Sequence, residues 1–179
     1  GRRGRVVAQN EAYGRGEAKR PKARDVALNY LSVRSRSIRE MRDKLRDKEF
    51  GDELIDQVVA DLERLHLLDD RAFARGWIES RMRNRPSGTF RLARELHQKG
   101  IDKEIVDELL EEFGDELDSA ETAAGLLRRQ GWRYTGLEEM KAKRRMLGFL
   151  ARRGYDADTA RKAIETVWEE LQQNDVEGD

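Results

Sequence analysis

Three stretches decide the fold. MRDKLRDKEFGDELIDQVVADL (Met41–Leu62), LARELHQKGIDKEIVDELLEEF (Leu92–Phe113) and MLGFLARRGYDADTARKAIETV (Met146–Val167) align on their apolar residues. Met41, Leu92 and Met146 correspond, as do Leu45, Leu96 and Leu150, then Phe50, Ile101 and Tyr155, then Val59, Leu110 and Ile164. Leu45 and Leu96 lie 51 residues apart and Leu96 and Leu150 lie 54 apart. A period of that size marks a chain built from repeated supersecondary units. Each stretch holds two amphipathic segments, with apolar residues three and four apart and no sustained alternation of the kind a strand needs.

Each repeat has room for one further helix ahead of the pair, at Asp25–Val33, Arg71–Asn84 and Asp118–Arg129. The expected fold is therefore all-α: three tandem three-helix repeats forming an elongated, curved helical array. The expected divisions are a disordered basic arm over Gly1–Arg24, repeat 1 over 25–70, repeat 2 over 71–116, and repeat 3 with a short acidic tail over 117–179. A unit of ~50 residues buries little apolar surface alone, and stacking on a neighbour remedies this.

Helix boundaries are written locally. Ser37-Ile38-Arg39-Glu40 has the form of a capping box, the Ser hydroxyl accepting the Glu40 amide while the Glu40 carboxylate reaches back. Asp52, Ser87, Asp102 and Asp156 each precede an apolar run and suit N-cap positions. Gly100 and Gly154 suit the left-handed residue that closes a helix. In the eighth helix, Met140, Lys143, Leu147 and Leu150 share a stripe that the lysine interrupts.

Between repeats 1 and 2 stands HLLDDRAFARGW (His66–Trp77). Asp69 and Asp70 there read as a structural junction with Phe73: the aspartates cap the following helix and place negative charge at its positive end. A metal site would need more converging ligands, and an acid pair would need a cleft. His66 reads as a packed or surface residue at a helix end. Trp77 lies with Phe73 at core spacing, Trp168 follows the apolar stripe of the last helix, and Trp132 and Tyr134 fall in an expected exposed loop around Arg133.

Composition narrows the function. Charged residues make up 40% of the chain and apolar ones 37%. The chain has no cysteine, which excludes disulfides and thiolate metal sites. No apolar run approaches ~18 residues. There is no phosphate-binding glycine loop, no dinucleotide fingerprint and no H-E-x-x-H. The expectation is a cytoplasmic protein without enzymatic activity, metal or cofactor. The 36 basic and 36 acidic residues cancel, but not locally. Segments 34–48, 71–100 and 128–153 carry net +4, +6 and +7, and segments 49–70, 101–116 and 154–179 carry −7, −7 and −6. Two accounts stay open: opposite charges stitch adjacent helices together, or the basic helices form a stripe for phosphates or an acidic protein groove. Arg81, Arg83, Arg85, Arg91 and Arg94 are the densest part of that stripe, and Arg144, Arg145, Arg152 and Arg153 a second cluster.

LLDDRAFARGWIESR (Leu67–Arg81) followed by SGTFRLARELHQKGID (Ser87–Asp102) closely resembles the RecX family, regulators of the RecA recombinase. SRSIREMRDKLRDKEFGDELIDQVVADLERLHLLDD (Ser35–Asp70) and KAKRRMLGFLARRGYDADTARKAIE (Lys141–Glu165) extend the resemblance over most of the chain. It implies three tandem three-helix repeats and a modulator, usually an inhibitor, that lodges in the groove of the RecA–DNA nucleoprotein filament. There it would suppress ATP hydrolysis, strand exchange and filament growth. The implied partner is that filament, with single- or double-stranded DNA a further candidate, no membrane, and a monomeric state. On this reading the nine arginines named above are the filament or DNA contacts. The alternative is a standalone nucleic-acid-binding helical-repeat module.

Overall fold

A computed structural model describes residues 19–177. Among the described residues there are nine α-helices, one short 3-10 turn and no strand. We number them α1 (19–33), α2 (Ile38–Asp47), α3 (Asp52–Arg64), α4 (Asp70–Asn84), α5 (Thr89–Gln98), α6 (Lys103–Leu117), α7 (Ala120–Arg128), α8 (Glu139–Arg152) and α9 (Ala157–Glu177). The 3-10 turn, Gly131–Arg133, lies between α7 and α8. This is the all-α, three-by-three arrangement expected from the repeats. The arm is corrected in part: residues 19–24 belong to α1, and Ala23 is fully buried beside Ala27 in the core. The rest of the arm, 1–18, lies outside the described residues.

The repeat alignment reappears as burial. Met41, Leu92 and Met146 are fully buried, as are Leu45, Leu96 and Leu150. Each pair is four residues apart, so each second helix drives one face into its core. Each such side chain contributes about 1.5–3 kcal/mol. Further along, Ile101, Tyr155, Val59 and Ile164 are buried, while Phe50 and Leu110 are only half-buried.

The chain divides into two compact units. Unit 1 holds the described residues through Phe73 together with 99–101. Its core joins Ala23 and Ala27 of α1, Met41 and Leu45 of α2, and Ile55, Val58, Val59 and Leu62 of α3, closed by Leu68. Unit 2 holds 74–98 and 102–179. Its largest cluster joins α7 (Ala123, Ala124, Leu127), α8 (Ala142, Met146, Leu150) and α9 (Ala160, Ala163, Ile164, Val167), with Trp168 packed against it.

Several local expectations are corrected. The buried face of α8 is Ala142, Met146 and Leu150, whereas Met140 and Leu147 are exposed. Lys143 is therefore no interruption; it pairs with Glu139 and Glu165. Tyr134 is buried rather than exposed, because the 3-10 turn folds it back into the cluster. Asp52 is the first helical residue of α3, and Gly51 holds the N-cap. Asp102 is an N-cap whose side chain makes no capping bond. Ser87 does not cap α5; its hydroxyl donates to the Arg85 carbonyl at 3.2 Å.

The ends of the second helices explain those differences. Ser37 and Glu40 form the capping box of α2. The Ser37 hydroxyl also donates to the Lys99 carbonyl at 2.7 Å, and the next amide, that of Ile38, donates to Asp70 Oδ1 at 2.9 Å. At α5 no side chain of the preceding residues caps the helix. The Gly88 amide donates to the Arg153 carbonyl (2.8 Å), Phe90 to the Gly154 carbonyl (3.2 Å) and Thr89 to Asp118 Oδ1 (3.1 Å). Thus the turns 99–100 and 153–154, each after a second helix, carry the start of the second helix one repeat earlier.

Those turns need left-handed residues. Gly100 has φ +79° and Gly154 φ +88°. The equivalent residue after α2 is Glu49, with φ +63°. Its conformation puts Cβ near its own carbonyl, a strain of about 1–2 kcal/mol that glycine lacks. Glu49→Gly is therefore expected to raise unfolding stability by about 1 kcal/mol, measured by urea denaturation. Unchanged or lower stability would show that Glu49 is not strained.

Candidate functional site

Asp69 accepts the Ala72 amide at 3.0 Å and so caps α4. Asp70 begins that helix and reaches the Ile38 amide, as above; Phe73 is buried. His66 is exposed and holds φ +57° at the turn closing α3. No group of three or more His, Cys, Asp or Glu is placed to hold a metal among the described residues. No helix among them is long and apolar enough to cross a membrane.

The structure sorts the basic residues into committed and free. Arg42 pairs with Asp56, Arg75 bidentately with Glu112, and Arg128 with Glu121 and Glu170. These pairs tie helices to one another, so part of the alternating charge is internal stitching.

The central arginines divide. Glu95 of α5 gathers Arg81 (2.9 Å), Arg91 (3.2 Å) and the Trp77 indole N–H (2.8 Å). Burial pushes the Glu95 carboxyl up, but these donors outweigh it and hold it below its ordinary value. Arg81 and Arg91 are therefore structural. Arg83, Arg85 and Arg94 are exposed and pair with no carboxylate. Phe90, one turn before Arg94 on α5, is 62% exposed. An exposed aromatic with unpaired guanidinium groups has the composition of a protein-interface anchor.

The second cluster also divides. Arg153 stands over the Phe149 ring at 5.5 Å, and its Nη1 is buried without a hydrogen-bond partner. Burial lowers its basicity, and the charges of Arg85 and Arg91 lower it further. Residues from the two sequence clusters are thus brought close together at this point. Arg144, Arg145 and Arg152 are exposed and unpaired, and they line a groove with Trp132, Arg133, Gly148 and Phe149. The sequence named these three arginines; Arg133 and the openness of the groove emerge from the turn at 131–133.

A comparable hub in unit 1 is structural. The Glu40 carboxylate accepts from Arg34 (2.7 and 3.2 Å), Lys99 (2.7 Å) and the Ser37 amide (3.0 Å). Burial pushes this carboxyl up, yet the hydrogen bonds from Arg34, Lys99 and Ser37 prevail and hold it at about 2, against an ordinary 4.5. With the folded value below the unfolded one, the carboxylate contributes on the order of 3 kcal/mol, complete above about pH 5 and lost as pH falls toward 2. Glu40→Gln is expected to lower stability by about 2–3 kcal/mol at pH 7, with the gap to wild type closing by pH 2. A gap independent of pH in denaturation curves would refute the charge-based account.

Family models describe the same three repeats. The first, second and third three-helix domains of RecX match residues 23–62, 69–110 and 116–164. The chain belongs to the RecX family. Among its relatives is the regulatory protein RecX of Prosthecochloris aestuarii, 38% identical over 82% of this chain and 93% of that protein. That of Corynebacterium efficiens is 36% identical over 88% of this chain and 79% of that protein. The crystal structure of RecX from Lactobacillus salivarius superposes with a TM-score of 0.74 at 26% identity, covering 88% of this chain and 99% of that one. The RecX relatives are named regulatory proteins.

Proposed function

We propose that this RecX-family chain is a cytoplasmic, monomeric regulator that inhibits the RecA recombinase from the groove of the RecA–DNA filament, suppressing ATP hydrolysis, strand exchange and filament growth. The observation that carries the contact surface is the division of the central arginines. Arg83, Arg85 and Arg94 make no internal ion pair and stand free beside an exposed Phe90. Exposed guanidinium charges without an ion pair inside the fold suit an acidic or phosphate-bearing partner. Tandem repeats allow one molecule to touch successive protomers of a polymer, so that weak contacts act together.

The test is ATP hydrolysis by the cognate RecA on single-stranded DNA, with this protein titrated below stoichiometry. Inhibition at low ratios, undiminished by excess DNA, is the expected result. Full hydrolysis at equimolar protein would overturn the proposal.

A further inference from the structure

Within unit 2, a niche lies where the ends of α4 and α6 meet α7 and the turn after α8. Its walls are Met82, Pro86 and Leu117, and its polar lining is Ser87, Glu116, Thr122 and Tyr155. It encloses about 90 Å³. Sites for cofactors or drug-sized ligands run to roughly 300–1,000 Å³, so this one has room only for the tip of a side chain.

Tyr155 decides what the niche takes. The residue is 4% exposed, and its hydroxyl is buried without a hydrogen-bond partner. Buried hydroxyls are ordinarily paired, because an unpaired one is costly. Burial pushes its pKa up to about 12 against the charge of Arg153, so it stays a proton donor. Ser87 is buried and its hydroxyl already donates to the Arg85 carbonyl, so only its lone pairs remain. Glu116 is exposed at the rim, and its carboxylate has no partner among the described residues. The niche thus offers a donor that lacks an acceptor and, in Ser87 and Glu116, acceptors that lack donors. A carboxylate would satisfy Tyr155 but meet the charge of Glu116. An ammonium would suit Glu116 but leave the Tyr155 proton unbound, and Arg153 acts on the same hydroxyl. Asp118, whose charge also reaches that hydroxyl, is taken up by the Thr89 amide and hydroxyl. A primary carboxamide carries both halves, a carbonyl that accepts and N–H groups that donate.

We propose that this niche receives the carboxamide of an asparagine or glutamine side chain from a protein partner. The carbonyl accepts from Tyr155, the N–H groups donate to Ser87 and Glu116, and the methylenes lie against Met82, Pro86 and Leu117. A free molecule of that size would bind weakly, whereas a side chain delivered with the rest of an interface needs little affinity of its own. The niche uses none of the arginines of the contact surface, and only the partner's identity as the recombinase rests on the reading above.

The experiment is a titration of the isotope-labelled full chain with propionamide, propionate and propylammonium, followed by amide chemical shifts. Expected are saturable shifts at Ser87, Thr122 and Tyr155 with propionamide, at a Kd of roughly 1–30 mM. Propionate and propylammonium should bind at least about fivefold more weakly. Tyr155→Phe should weaken propionamide about 3- to 10-fold. It should also leave the urea midpoint unchanged or higher, because the hydroxyl has no partner within the fold to lose. Glu116→Gln should narrow the gap between propionamide and propionate. Equal shifts with all three compounds, propionamide binding indifferent to Tyr155→Phe, or a lower urea midpoint in that variant would overturn the proposal. Saturating propionamide should also raise the concentration needed for half-inhibition of RecA ATP hydrolysis at least about twofold, with hydrolysis by RecA alone unchanged. Undiminished inhibition would overturn the assignment to a recombinase side chain. A chain that binds propionamide but does not inhibit RecA would fail the filament reading while keeping the niche.

Discussion

Replacing Arg83, Arg85 and Arg94 together by glutamate is expected to raise the concentration needed for half-inhibition of RecA ATP hydrolysis at least about tenfold, and to leave the thermal midpoint nearly unchanged. Exposed surface substitutions shift stability by only about 0.5 kcal/mol, and these three side chains have no internal ion pair to lose. At an interface each guanidinium that meets a carboxylate or phosphate contributes of order 1–2 kcal/mol, and reversal adds repulsion. The companion variant is Arg91→Glu, which sets a second carboxylate against Glu95 and abuts the turn at Gly154. It is expected to lose stability by about 2–4 kcal/mol, so its effect on inhibition would say nothing about the contact surface. If the triple variant inhibits like wild type, the surface is elsewhere, even where the chain itself proves an inhibitor.

The largest effect on stability is expected at Gly154. A Cβ there would overlap the backbone nitrogen and Cβ of Arg91, which belong to a packed helix and cannot swing away. The residue also has φ +88°. Left-handed strain of about 1–2 kcal/mol and overpacking of about 1–3 kcal/mol add, so Gly154→Ala should cost about 2–5 kcal/mol in urea denaturation. Gly88→Ala meets the same joint from the opposite side, through the Gly154 carbonyl, and should cost a comparable amount. A loss below about 1 kcal/mol at both positions would mean that the joint yields. Gly100→Ala probes the equivalent turn, where a Cβ at φ +79° would meet the Arg39 side chain at Nε (2.6 Å) and Cβ (2.7 Å).

Much of the fold is legible in the sequence because its signals are local. Met41 with Leu45, and their counterparts in the other repeats, announce buried faces by spacing alone, and Ser37 with Glu40 announces a helix start. The features that escape such reading depend on residues distant in the chain. Nothing near Thr89 reveals that Asp118, 29 positions on, receives its amide. Ser87 has the right chemistry for a cap but lies one position early, and Gly88 stands just before α5, where a side chain would strike the turn at Gly154 and Tyr155 after α8. The α8 stripe misleads because alanine and methionine form the inner face while Met140 and Leu147, equally apolar, are left outside. Among the arginines, residue type and density identify the region. Which of them are free depends on where Glu95 and Glu112 fall in space, which composition does not encode.

The capping of the second helices gives the chain a direction. The start of α2 is completed by residues 70 and 99, and that of α5 by residues 118, 153 and 154, all downstream. The start of α8 is closed by its own Glu138, which accepts the amides of Met140 and Lys141. The second repeat thus leaves its second helix unfinished until the following segment exists, whereas the first caps its own with Ser37 and Glu40 and the third with Glu138. During synthesis from the N-terminus, the start of α5 must wait for residues 118, 153 and 154 to emerge. Loss of residues from the C-terminal end would strip the amides of Gly88, Thr89 and Phe90 of their acceptors, while loss from the N-terminal end would orphan none of them.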